Sequence, residues 1–132
     1  MKNSSIKKII NAPISIGELV DKITILEIKK NKLQNSKLEN VLKELSYLRR
    51  LMEKNKIEIN DDLFTQLKEI NLTLWDIEDQ IRIKEKNKEF DNTFIELARS
   101  VYFNNDKRAE IKKSINQLFN SEITEEKFYA DY

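Results

Sequence analysis

The stretch Ile14–Ile28, ISIGELVDKITILEI, decides how the rest of the chain is read. Ser15 and Glu18 stand three apart in the S-x-x-E arrangement of a capping box, and Ile14 and Leu19 are placed for the accompanying hydrophobic staple, so a helix starts here. It is expected to run to about Lys32. At about 100° per residue, Leu19, Val20, Ile23, Leu26 and Leu33 form one apolar face, while Ile25 and Ile28 lie nearly opposite. A helix that is apolar on both sides is buried on both. Either this helix is central in a bundle, or Ile25 and Ile28 are covered by a second copy of the chain in a homodimer. Glu27 falls close to the first face. A buried carboxylate without a partner is costly, so Glu27 needs a Lys or Arg or must border a ligand cavity.

Working outward, the composition removes several kinds of chemistry. The 132 residues contain no His and no Cys. That excludes Ser-His-Asp triads, Cys nucleophiles, thiolate or imidazole zinc sites and disulfides. A single glycine, Gly17, excludes a P-loop and a GxGxxG turn. Carboxylate, Lys, Arg, Tyr and hydroxyl chemistry remains, with hard-cation sites made of oxygen ligands. Twenty-four Lys and Arg against 23 Asp and Glu leave a net charge of +1. No global field therefore draws in nucleic acid or an anionic membrane. No run approaches the length of a membrane span, and Ile6-Lys-Lys-Ile-Ile10 is too short and too charged for a signal-peptide core. The expectation is a cytoplasmic bacterial protein of one domain.

With one Gly and one Pro, a turn-rich β fold is disfavoured and long helices are expected. Residues 1–13, ending in Pro13, read as an extended or flexible arm, in which Lys8 to Ala12 is the candidate for a short strand. Ser36, with Glu39 three residues on, is the expected cap of a second helix. Its apolar residues at 38, 41, 45, 48 and 52 form a seam. A third helix opens after Asn60-Asp61-Asp62 with the cleanest seam in the chain: Leu63, Leu67, Ile70, Leu74, Ile77 and Ile81. The short connection from Ile57 predicts that helices two and three pair as a central antiparallel hairpin. Asp91 caps a fourth helix, Phe94 to Phe103, with Phe94, Leu97, Ala98, Val101 and Tyr102 inward. Asn104-Asn-Asp106 breaks it and caps a fifth, with Ile111, Ile115 and Leu118 buried. The fold class is thus all-α, a single-domain bundle of about five helices over residues 14–120, with a tail at 121–132 packing on it.

Three polar constellations stand out. Trp75, Glu78 and Arg82 share a stripe with Asn71 beside the third seam, where Trp75 can floor a pocket and Glu78, Asp79 and Arg82 can face a polar ligand. Arg99, Arg108 and Lys112 can converge on a phosphate or carboxylate, or simply lie over the core edge. Glu18 with Asp21, and Asp76 with Asp79, place carboxylates three apart on helices. Helical pyrophosphohydrolases hold Mg²⁺ with that spacing.

The segments SIGELVDKITILEIK, LWDIEDQIR and FIELARSVYFNNDKRAEIKKSIN resemble a bacterial family, domain of unknown function 6165, over about Ile14 to Tyr129. The resemblance implies a stand-alone helical protein and assigns no catalytic residue. It carries an association with genomic neighbourhoods for surface polysaccharide and glycosyltransferase functions. Glu18, Asp21, Lys22, Glu27, Trp75, Glu78, Asp79, Arg82, Arg99, Asn105, Asp106, Arg108 and Lys112 fall inside its signature stretches.

The resulting expectation is a non-catalytic binding or adaptor protein without a cofactor, holding a polar small molecule or protein partner with Trp75, Glu78, Arg82, Arg99, Arg108, Lys112 and Glu27. The alternative is an Mg- or Mn-dependent hydrolase of a nucleotide or sugar nucleotide, with Glu18, Asp21, Glu78 and Asp79 as ligands. Nucleic acid ranks last, because the basic residues are interspersed with acids.

Overall fold

The computed structural model describes residues 6–58 and 61–132, without the side chain of Asp61. Among the described residues four helices follow one another: α1 (Ile16–Lys32), α2 (Asn35–Lys54), α3 (Asp61–Lys86) and α4 (Asn92–Leu118). α1 takes the central place that one of the two readings of the opening stretch expects. α1 packs against α2, α3 and α4. Its first face, Leu19, Ile23 and Leu26, meets Val41 and Leu45 of α2. Val20 turns the other way, onto Leu67 of α3 and Ile115 of α4, and all three are at 0% exposure. Ile28 is buried at 2%, so the chain itself covers this residue without a second copy. Each such aliphatic side chain contributes about 1.5 to 3 kcal/mol on burial.

The local start of α1 is as its sequence requires. Ser15 Oγ accepts from the Glu18 N–H at 3.1 Å, and Ile14 packs with Leu19 in the first core cluster. Glu18 does not close the box by reaching back; its carboxylate turns to Lys112. Gly17 lies where α1 crosses α4. A Cβ there would stand 2.5 Å from the Lys112 carbonyl oxygen.

Other expectations are corrected. The central hairpin is α3 with α4, while α2 lies on α1 and shares no backbone contact with α3 among the described residues. The second seam lies where its spacing puts it, with Val41 and Leu45 buried, but its partner is the Leu19, Ile23 and Leu26 face of α1. The expected fourth and fifth helices are one helix. Asn104 does not break it, because its side-chain amide donates to its own helix at Ser100 O, 2.7 Å away. With no Gly or Pro nearby, nothing else interrupts the ladder, and Asn105 and Asp106 are mid-helix residues rather than caps. Leu118 and Tyr102, expected inward, are 56% and 40% exposed; Phe119 packs on the second cluster in place of Leu118, and Ala98 is exposed too. Ser36 is inside α2, since Leu38 N–H already donates to Gln34 O. No strand forms among the described residues, and Lys8 to Ala12 are exposed and irregular. α3 begins at Asp61, ahead of the expected opening after Asp62, while Asn60 and the first five residues of the arm lie outside the described residues.

Asp91 caps α4 as expected, accepting from Phe94 N–H at 2.9 Å. That backbone hydrogen bond, then the ion pair with Lys84, holds its carboxyl below the ordinary value of 3.8. A depressed carboxylate contributes stability that is complete above its unfolded pKa and is lost as pH falls through the folded value. The melting-temperature gap between wild type and Asp91→Ala is therefore expected to be constant from pH 7 to about 5 and to close below about pH 3.8. Thermal melts of both proteins across that range check it, and a gap that widens as the pH falls below about 3.8 would contradict the cap's ionic character.

Candidate functional site

Where α1 meets α3 and α4, polar residues are buried together. Asp21, 1% exposed, is the hub. Arg108 of α4 grips it with two hydrogen bonds, Nε to Oδ1 at 3.0 Å and Nη2 to Oδ2. Asn71 of α3 donates one amide proton to Asp21 Oδ1 and the other to Thr24 Oγ1, each at 2.9 Å. Thr24 donates in turn to the backbone carbonyl of Asp21 at 2.7 Å. One turn along α4, Lys112 donates to Glu18 at 2.7 Å and to Glu125 of the tail at 3.2 Å, with Asp21 at 4.0 Å. One further turn along, Asn116 Oδ1 accepts from the Gly17 N–H at 2.6 Å. α4 thus presents Arg108, Lys112 and Asn116 as one stripe, matched to Asp21, Glu18 and Gly17 on antiparallel α1.

The electrostatics follow from that geometry. The hydrogen bond to Asp21 raises the Arg108 guanidinium above its ordinary value against the opposing effect of burial. For Lys112 burial is the largest influence and lowers the pKa, but Glu18, Asp21 and Glu125 together outweigh it and the net shift is upward. Both side chains are held as cations. No buried side-chain polar atom among the described residues lacks a hydrogen-bond partner.

Beside this network lies an open groove of about 510 Å³. Ile25 and Ile28 of α1 and Leu74 and Trp75 of α3 give it an apolar floor, while Glu78, Asp79, Arg82 and Arg108 supply its polar rim. Lys32 Nζ stands 5.6 Å from the Trp75 ring centroid. Arg82 is 80% exposed and pairs with Glu78 at 3.5 Å. Arg108, after its two bonds to Asp21, has no partner for Nη1 among the described residues.

Of the expected site residues, Trp75, Glu78, Arg82 and Arg108 line this one groove. Lys112 lies away from its lining, in the network one turn along α4. Arg99 is two and a half turns from Arg108 on the same helix, held by Glu96 at 3.1 Å and lying 5.8 Å from the Phe103 ring centroid. Glu27 is on the opposite side of α1. Arg49 of α2 and Lys68 of α3 clamp it there, so its place near the apolar face is explained by an ion pair. The alternative cation ligands do not gather: Glu18 and Asp21 face Lys112 and Arg108, and Glu78 faces Arg82. Among the described residues, no three of His, Cys, Asp and Glu are arranged to hold a metal ion.

Thr24, Asn116 and Glu125 escape sequence reading, although a signal for the first exists. Thr24 is a hydroxyl on an otherwise aliphatic surface of α1, three residues after Asp21 and therefore on its face. Glu125 carries no such signal, because the tail has no periodicity that fixes where it lies.

No helix among the described residues is long and apolar enough to cross a membrane. No curated protein and no solved structure matches the chain significantly. The profile of a family of unknown function, DUF6165, matches residues 10–131 and so spans α1 to α4 and the tail up to its last residue. The chain belongs to the DUF6165 family.

Proposed function

We propose that this protein is a non-catalytic binding or adaptor module whose groove seats a segment of a partner protein: an apolar side chain on Ile25, Ile28, Leu74 and Trp75, with an adjacent carboxylate on Arg82 and Arg108. The observation that supports this most is the convergence of Trp75, Glu78, Arg82 and Arg108, from two helices, on one groove of about 510 Å³. That volume is in the range of ligand-binding clefts, as is an apolar floor with a few convergent polar groups. Arg82 reaches solvent with a single loose partner, so a carboxylate that arrives there gains a charge-assisted bond without breaking a buried one. Glu78 and Asp79 on the same rim orient the partner by repelling its acidic end.

Trp75 is the sole tryptophan of the chain and reports on the groove directly. Titration with short acidic peptides containing Leu or Phe is expected to shift its emission saturably. Arg82→Ala, at an exposed position, is expected to weaken binding by about tenfold, the usual worth of a hydrogen bond to a charged group. Sugar nucleotides form the second arm of the panel, because the resemblance to domain of unknown function 6165 carries an association with surface polysaccharide functions. A response to sugar nucleotides alone would replace the protein partner by a small molecule; a flat response to both would end the groove reading.

A further inference from the structure

On the far side of Arg108 from the groove, a second, smaller cavity of about 160 Å³ is lined by Glu18, Asn105, Arg108, Lys112, Glu125 and Lys127. We infer that it is an anion site for a single phosphate-type group, and that the chain's own Glu125 carboxylate occupies it in this structure.

Charge balance is the first argument. Arg108, Lys112 and Lys127 supply three positive charges, and Asp21, Glu18 and Glu125 supply three negative ones. Asp21 and Glu18 belong to α1 and are fixed by Arg108 and Lys112 at hydrogen-bond distance. Glu125 belongs to the tail, which is irregular and mostly exposed; its carboxylate meets Lys112 at 3.2 Å and Lys127 at 3.9 Å. If the Glu125 side chain alone turns out of the cavity, Lys127 stays, Lys112 keeps its buried ammonium and the cluster carries an excess positive charge. An uncompensated charge in a poorly solvated place is costly, so another anion is drawn in.

Unused donors are the second argument. Arg108 Nη1 has no partner among the described residues. The half-buried Asn105 makes no side-chain hydrogen bond there either, and Lys127 has Glu125 as its one carboxylate, beyond hydrogen-bond distance. A carboxylate with two oxygens leaves these three donors underused. A tetrahedral dianion has oxygens to spare for Lys112, Arg108, Asn105 and Lys127 together. With Glu125 at its wall the cavity of about 160 Å³ is already about five times the roughly 30 Å³ share of a water molecule, and turning that side chain out gives room for one such group. Glu125 therefore acts as an internal substitute, and binding of the anion is coupled to displacement of its side chain while Lys127 stays in place.

This site is independent of the groove reading: Trp75, Leu74 and Arg82 do not line it, and Arg108 alone borders both. The test uses the full chain and inorganic phosphate, followed by calorimetry and by the rate of tryptic cleavage at Lys127. Glu125→Gln, which keeps the shape and removes the charge, is expected to bind phosphate about tenfold more tightly than wild type, and Lys127→Gln about tenfold more weakly. Phosphate is expected to slow cleavage at Lys127 in wild type, because that side chain is then held on the anion, and Trp75→Ala is expected to change neither result. Equal affinity in wild type and Glu125→Gln would overturn the inference. The same effect from potassium chloride at matched ionic strength would also do so, as would binding to phosphatidic acid vesicles but not to inorganic phosphate.

Discussion

Replacement of Asp21 by alanine is expected to lower the stability of the protein by about 3 kcal/mol, the lower end of the range for breaking a buried ion pair from one side. The carboxylate is 1% exposed and accepts from Arg108 twice and from Asn71 once. Its loss strands a guanidinium that needs an acceptor, leaves one Asn71 amide proton unpaired and takes a negative charge from beside Lys112. The Arg108 side chain is 29% exposed and recovers some hydration, which places the estimate at the lower end. A contrast sharpens the prediction: Asp21→Leu combined with Arg108→Met removes both charges and fills the space, and is expected to cost less than Asp21→Ala alone. Urea unfolding of the three proteins measures it, provided the slope with denaturant stays constant. A loss under about 1 kcal/mol for Asp21→Ala would mean that the pair is far better hydrated than its burial indicates.

Gly17→Ala is expected to be destabilising by about 2 kcal/mol, although alanine is the better helix former by about 1 kcal/mol. The sign is reversed by what the added methyl group meets. It would stand 2.5 Å from the Lys112 carbonyl oxygen and 3.1 Å from the carbon of the same carbonyl, with Asn116 Oδ1 at 3.0 Å. The first two are backbone atoms within α4 and cannot rotate away, so α1 and α4 must separate. The bond from Gly17 N–H to Asn116 and the Lys112 to Glu18 pair lie at that crossing and lengthen with it. Thermal and urea unfolding check the value. An unchanged or higher melting temperature would show that the two helices tolerate a wider crossing than their side chains indicate.

The same residue illustrates how far sequence alone reaches. A single glycine in 132 residues stands inside a helix, where local propensity disfavours it, so a tertiary reason is implied; which helix it touches is not. The Ser15 cap, the two-faced character of α1, the seams of α2 and α3 and the Asp91 cap depend on residues a few positions apart, and each was readable from spacing. So was the stripe of Trp75, Glu78 and Arg82, because one face of one helix is a local property.

The misplaced items share a different physics. The seam of α2 fits either an adjacent α3 or the open face of α1, since aliphatic burial has no direction and chain proximity does not choose. Asn104 reads as a helix breaker, yet its amide bonds its own helix and the ladder continues. Arg99 and Arg108 look equivalent in sequence, and only the crossing of α4 over α1 separates a guanidinium locked on Asp21 from one left on the surface. The sequence by itself determined that the chain is helical and which faces of α1, α2 and α3 are dry, because those follow from intervals of three and four residues; it did not determine the continuity of α4 through Asn104. Tertiary structure decided which dry faces meet and which charges are paired, because these depend on distances between residues 22 to 105 positions apart that no local interval encodes.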